Sequence, residues 1–340
     1  MFIHWTHHYI PKVCIVFSIL INSLLIYVVR IDKKVELGNY RIILFFFASY
    51  NLMSTIGDVV IPVGVHDYKA AFSVFIVGGY FLKSSEVGVM MVSLRCSFVP
   101  GSYGILNSHF VYRYMVLFAK ETLNMYFLPY GLILAIFYTL FLMTVWFLLC
   151  YIYVKADYER KLYMQKSFEE VYETDVFDLN ILIAQYHNVS SQNLRDSWKA
   201  VLSGSAVSVI SVTIYAILGY QIFKKLTDIS LIMSPTTRRL QKQLMKALGV
   251  QSTIPMMVSF LPCLIAWYLP ALEISVDAWM FRIVSIAISF FPVLDPLALF
   301  YFVPAFRHRV AELFFFDKCG SVQVTGSTTF SAANSTVVQN

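Results

Sequence analysis

The sequence predicts an all-α membrane protein: a seven-transmembrane helix bundle with its N-terminus outside and its C-terminus in the cytoplasm. Three observations carry this. Hydrophobic residues make up 58% of the 340 residues and charged residues only 14%, well short of the charge a soluble surface of this size displays. The apolar residues gather into seven runs of membrane-spanning length. Lys and Arg, in turn, collect in alternate connecting segments.

A helix crosses about 30 Å of hydrocarbon with about 20 apolar residues. The runs that meet this length are Ile10–Val29, Ile42–Val65, Val87–Phe118, Leu128–Tyr151, Val201–Phe223, Ala247–Pro270 and Met280–Val303. The first is too long for a cleaved leader and reads as a signal anchor. The third is over-long and is expected to project beyond the bilayer. The apolar patch Ala71–Leu82 has 12 residues, too few to span, and is assigned to the connection between the second and third runs. No internal repeat is visible, which speaks against a transporter. The bundle with a short amphipathic helix covers 1–316, and 317–340 is a Ser/Thr-rich cytoplasmic tail expected to be disordered.

Orientation follows from charge. Arg30–Arg41, Arg113–Phe127, Lys224–Lys246 and the C-terminal tail together hold 15 Lys and Arg, against 9 in the opposite set. Six of those 9 lie in the long Ile152–Ala200 segment beside eight Asp or Glu. The basic set faces the cytoplasm. The sequon Asn188-Val-Ser190 then falls outside, where it is expected to be glycosylated. Asn334-Ser-Thr336 falls inside, where it is silent. The net charge of +6 is explained by these loops and is no sign of nucleic-acid binding. The five cysteines fit no metal site or disulfide framework, and no cofactor motif is present. Cys319 is equally readable as an acylated or a plain tail thiol.

Charges deep in hydrocarbon are costly, and by default they mark function. Arg113 closes the third run within His109-Phe-Val-Tyr-Arg113-Tyr114; alone it would read as an anchor snorkelling to headgroups, but the polar and aromatic neighbours form a cluster at the inner mouth. Arg95 lies five helical turns earlier, about 27 Å away on the same face. Asp58 is about 25 Å from Arg41 and so at a similar depth to Arg95. An Asp58–Arg95 ion pair lining an outer cavity is therefore expected, against the alternative of two unrelated residues in a wet vestibule. Asn22, Asn51 and Asp295 each lie about 12–15 Å from the inner surface, which predicts a hydrogen-bonded layer between the first, second and seventh spans. Pro296 frees a carbonyl one turn earlier and gives the seventh span a hinge. Pro255, Pro262 and Pro270 break the sixth span, as in segments that move. The basic stretch before it, with Arg238, Arg239 and Lys242, docks a cytoplasmic partner or lies on anionic lipid. Pro304–Phe316 has the pattern of a helix lying on the membrane.

Three stretches are similar to nematode seven-transmembrane chemoreceptors of the Str class, the group that includes the serpentine receptors class r. They are Ser108–Tyr114, Leu240–Pro255 and Phe291–Arg307. The resemblance implies a G-protein-coupled receptor at the plasma membrane, in the cilia of sensory neurons. It places Arg113, with Tyr114, where rhodopsin-like receptors carry their third-helix coupling arginine. Asp295, Pro296 and Tyr301 stand at the seventh-helix proline motif. Two features depart from rhodopsin. No acid precedes Arg113, and no cysteine in Ile152–Ala200 is available to bridge to the third span.

The expected function is therefore a chemosensory receptor without enzymatic activity. A small odorant binds in an outer cavity walled by Asp58, Arg95, Ser97, Tyr103, Ser205, Ser208, Ser285 and Ser289. A heterotrimeric G protein docks at the inner face near Arg113, Arg238, Arg239 and Lys242, and the eight Ser or Thr after Gly320 are phosphorylated to end the signal. The alternative is a seven-span ligand-gated cation channel of the insect odorant-receptor type, which has the opposite topology. An intramembrane enzyme is disfavoured, because Asp58 and Asp295 lie at different depths and no His falls mid-membrane.

Overall fold

The computed structural model describes residues 5–31, 39–228, 235–274 and 278–314. Side chains at 5–8, 31, 120, 124, 228, 235–238, 240–241, 278–282, 284–285, 305 and 313–314 lie outside that description, as does the whole of the tail assigned to 317–340. The long helices follow the apolar runs: α1 (Trp5–Ile31), α2 (Tyr40–Val60), α3 (Glu86–Phe118), which the short α4 (Lys120–Tyr126) follows, α5 (Leu132–Leu149), α7 (Ser191–Asp228), α8 (Pro235–Pro255) continued by α9 (Leu261–Ala271), and α10 (Ala278–Phe302). Six helical segments are long and apolar enough to cross a bilayer. α10 and α11 (Pro304–Phe314), bent by 94° at their junction, bring the number to as many as seven.

Some termini and breaks have local causes. Ser85 caps α3 by accepting from the Gly88 N–H at 3.0 Å. α8 and α9 are separated by a π-helical turn, Met256–Phe260, directly after Pro255, whose ring cannot continue the helical ladder. Pro296 likewise leaves the Pro292 carbonyl without its helical donor, and Asn22 Nδ2 supplies one at 2.8 Å. The first span is thus bonded to the seventh at the carbonyl that its proline frees.

The connections at one end of the bundle hold an antiparallel sheet of order β1–β2–β3, formed by Val63–Tyr68, Ala71–Ile76 and Ile181–Gln185. β1 and β2 pair from Val63 opposite Ile76 to Tyr68 opposite Ala71, closing through a two-residue turn with Lys69 at φ 49°. β3 arrives from the acidic connection between α5 and α7 and pairs Phe75 with Ile181 and Ala71 with Gln185. The first half of the patch Ala71–Leu82 is thus strand, and its apolarity has a simple origin: β2 is buried on both faces. One face, with Phe72, Val74, Leu182 and Ala184, packs on the bundle. The other, with Phe75, Ile181 and Ile183, packs on α6 (Tyr158–Tyr172) through Met164 and Phe168.

Buried polar groups fasten this cap. Asn180 accepts from the Ser85 N–H and donates to the Phe81 and Lys83 carbonyls at 2.6–2.8 Å. Only glycine fits opposite it, since a Cβ on Gly88 would lie 2.0 Å from Asn180 Nδ2. Arg160 is fully buried and donates to the carbonyls of Tyr153, Lys155 and Asn193, tying α6 to both flanking spans. α7 begins ten residues before its apolar run because its first turns belong to the cap: Asn193 bonds Asp157 and Glu159, and Ser197 accepts from the Gln185 N–H. Asp67, on β1, is half-exposed as a residue, but both carboxyl oxygens are shut from solvent and have no hydrogen-bond partner among the described residues. Burial holds its carboxyl well above the usual carboxylate range.

Candidate functional site

Beneath the sheet lies a cavity of about 150 Å3. Every span contributes to its wall, from Pro11 on α1 to Ile288 and Ser289 on α10, and Val65, Phe72, Val74, Leu182 and Ala184 form its roof. The lining is mostly apolar, with Trp146 and Trp267 facing each other at 5.7 Å between ring centres. Its strongest polar feature is the expected ion pair. Arg95 is 4% exposed, its Nε donates to Asp58 Oδ1 at 3.0 Å, and its Nη2 makes a second, shorter contact to the same oxygen. The Phe98 ring lies 5.8 Å from the guanidinium.

Of the other residues expected on the wall, Ser289 lines it. Four stand off it. Ser97 is fully buried and bonds the Leu94 carbonyl of its own helix. Ser208 bonds the Gly204 carbonyl in the same way, and Tyr103 is buried beside it, deeper in the bundle. Ser205 meets the Tyr268 hydroxyl at 3.0 Å. The reason is common to helical serines, which satisfy themselves on backbone one turn earlier and so need not face a cavity. The Ser285 side chain lies outside the described residues. Sequence reasoning missed Cys96, Cys150, Cys263, the two tryptophans and the entire roof.

At mid-depth the predicted layer is present. Asn51 Nδ2 reaches Asn22 Oδ1 at 3.2 Å and Asp295 Oδ2 at 3.4 Å. Two groups absent from the sequence expectation extend it. Ser18 bonds Thr55 at 2.6 Å, and Gln251 of the sixth span donates to the Asp295 carbonyl at 3.4 Å.

At the end opposite the sheet, Arg113 is also 4% exposed. Its guanidinium carbon lies 3.6 Å from the centre of the Tyr40 ring, a cation–π contact. Tyr40 stacks on Tyr112 at 5.5 Å, and its hydroxyl meets His109 Nδ1 at 3.3 Å. This aromatic cage stands where an acidic neighbour is missing from the sequence. Tyr114 stacks on Phe118 at 4.4 Å, while Arg239 and Lys242 are exposed on α8. The Arg238 side chain is outside the described residues. Tyr301 departs from its expected place. It is 70% exposed on the outer side of α10, against Phe302, and does not turn inward toward Asp295. Asn188, at φ 52° after β3, is exposed at the sheet end.

Comparison with known proteins converges on one family. "Serpentine receptor class J-38" of Caenorhabditis elegans is 30% identical over 311 residues, covering 91% of this chain and 93% of that one. "G-protein coupled receptor str-33" of the same nematode is 25% identical over 309 residues, covering 89% of each. "Serpentine receptor class r-10" of Caenorhabditis briggsae is 27% identical over 331 residues, covering 91% and 90%. The fold matches squid rhodopsin with a TM-score of 0.55 at 11% identity, over 89% of this chain and 78% of that one. These likenesses favour a receptor of the G-protein-coupled kind over the insect-type channel, and the family is one of receptors, not enzymes. Residues 1–310 match the family described as serpentine type 7TM GPCR chemoreceptor Srj, and the chain belongs to that family of multi-pass, G-protein-coupled membrane receptors.

Proposed function

We propose that this chemoreceptor binds a small odorant in the cavity beneath the sheet, with the sheet end outside the cell. The observation that carries the reading is the cavity itself: all seven spans wall it, a sheet roofs it, and one buried ion pair polarises an otherwise apolar interior. A volume of about 150 Å3 suits a molecule about the size of benzene. The best ligand has an apolar body and one weakly polar group for Arg95 or Asp58, with Ser289 as a further hydrogen-bonding partner.

The route to the G protein runs through the sixth span. Cys263, Ala266 and Trp267 of α9 touch the cavity, and Gln251 of α8 touches the Asp295 carbonyl, with the π turn between them. A ligand that fits one arrangement of this span better than another shifts the population toward it by its differential affinity. The layer around Asp295 and the Pro296 hinge carry that shift to the mouth at Arg113 and Tyr114. Arg238, Arg239 and Lys242 supply a basic face for the G protein. Asn188 carries glycan outside, the tail Ser and Thr residues are phosphorylated, and the receptor works at the plasma membrane of sensory cilia.

The test is expression with a promiscuous G protein and a screen of small volatile and water-soluble odorants. Ala266→Trp, which fills the cavity, is expected to abolish a response that the parent shows while surface delivery is kept. An undiminished response in that variant rules the cavity out as the binding site.

A further inference from the structure

We propose that Cys96 and Cys150 form a redox-active dithiol in the cavity wall, converted to a disulfide by hydrogen peroxide. Three of the five cysteines, Cys96, Cys150 and Cys263, line this one cavity although they come from the third, fourth and sixth spans. Cys96 and Cys150 lie within side-chain hydrogen-bonding reach of each other on that wall, and Cys263 lies near enough to both to interact electrostatically. Both are free thiols. Arg95, although paired with Asp58, lies within electrostatic range of the Cys96 sulfur, and Cys96 is therefore assigned as the nucleophile.

The step balances with a peroxide as oxidant. The Cys96 thiolate attacks one peroxide oxygen, the O–O bond breaks, and the other oxygen leaves as water with the proton that Cys96 gave up. Cys96 is then a sulfenic acid. The Cys150 sulfur attacks it, the S–O bond breaks, and the hydroxyl leaves as a second water with the Cys150 proton. Two thiols have lost two electrons and one peroxide has become two waters. The product staples the third span to the fourth within the cavity wall and removes two soft donors from it. A receptor so stapled reads oxidant exposure at the site that reads odorant.

The inference uses the cavity assigned above to the ligand, but its test needs neither ligand nor G protein, so the two readings fail separately. Full-length receptor is purified in detergent, reduced, exposed to hydrogen peroxide and digested without reductant for mass spectrometry. The expected result is a Cys96–Cys150 linked peptide that is absent before peroxide, becomes the major form of both cysteines, and disappears with dithiothreitol. Cys96→Ser should abolish the link, and Cys263→Ser should leave it intact. The proposal is overturned if both thiols stay reduced, if they pass to sulfinic acids without linking, or if either pairs with Cys263 instead.

Discussion

Arg95 and Arg113 sit on one helix, five turns apart, equally buried at 4% exposure, and are held by different physics. Arg95 has a carboxylate, Asp58, and the pair is closed by two contacts to a single oxygen. Arg113 has the face of Tyr40 at 3.6 Å, braced by Tyr112 and by the hydroxyl contact to His109. An ion pair in a low-dielectric site is strong, directional and costly to break from one side. An aromatic face is a softer partner, which a guanidinium leaves without stranding a charge. The contacts described at the two arginines thus differ in kind, a carboxylate at the sheet end and an aromatic face at the other.

The largest effect should come from halving the ion pair. Asp58→Ala leaves the Arg95 guanidinium buried alone and is expected to lower stability by about 3–5 kcal/mol, read as the melting temperature of purified receptor. The exchanged double variant Asp58→Arg with Arg95→Asp should recover part of that loss; no recovery would mean the two residues act separately. Next comes the roof. Gly88→Ala drives a Cβ into Asn180 and should cost about 1–3 kcal/mol while exposing the sheet to protease. Cleavage at the parental rate would show that the cap tolerates the shift.

At the softer end, Tyr40→Leu removes a contact of about 2 kcal/mol or less and should raise ligand-independent signalling up to about thirtyfold. Tyr40→Phe keeps the ring, loses only the hydroxyl contact to His109, and should change basal signalling far less. Equal effects of the two would assign the hold to the hydroxyl. The smallest effect concerns pH. Asp67 is held neutral by burial in the fold, whereas in the unfolded chain it ionises near its ordinary value of about 3.9. Below that value both states are protonated and pH has no influence through this group. Above it the unfolded state alone releases the proton, so stability falls by about 1.4 kcal/mol per pH unit until the folded carboxyl ionises too. Asp67→Asn should flatten this slope in melting curves recorded from about pH 5 to pH 8. A slope unchanged in the variant would place the titration elsewhere.

Depth counting along helices made much of this legible in the sequence. A helix rises by a constant amount per residue, so Asp58 could be matched to Arg95, and Asn22 and Asn51 to Asp295, before any coordinates. What stayed hidden obeys no such ruler. β3 lies about a hundred residues from β2 in the chain, inside a segment whose charges advertise a solvated loop, and only tertiary pairing reveals the sheet. Nothing local in the sequence says that the Tyr40 ring will lie under Arg113. The serines misled because hydroxyl chemistry shows in a sequence, but the carbonyl that satisfies each one does not.

The roof has a consequence for how such a receptor can diversify. Val65, Phe72, Val74, Leu182 and Ala184 touch the cavity from two connections that do not cross the membrane. Exchanging large for small side chains there alters the shape offered to an odorant without repacking one helix against another. Part of the cavity's shape is thus carried by these two connections, so grafting them from a relative should shift odorant preference while the Asp58–Arg95 pair and the layer beneath keep their contacts.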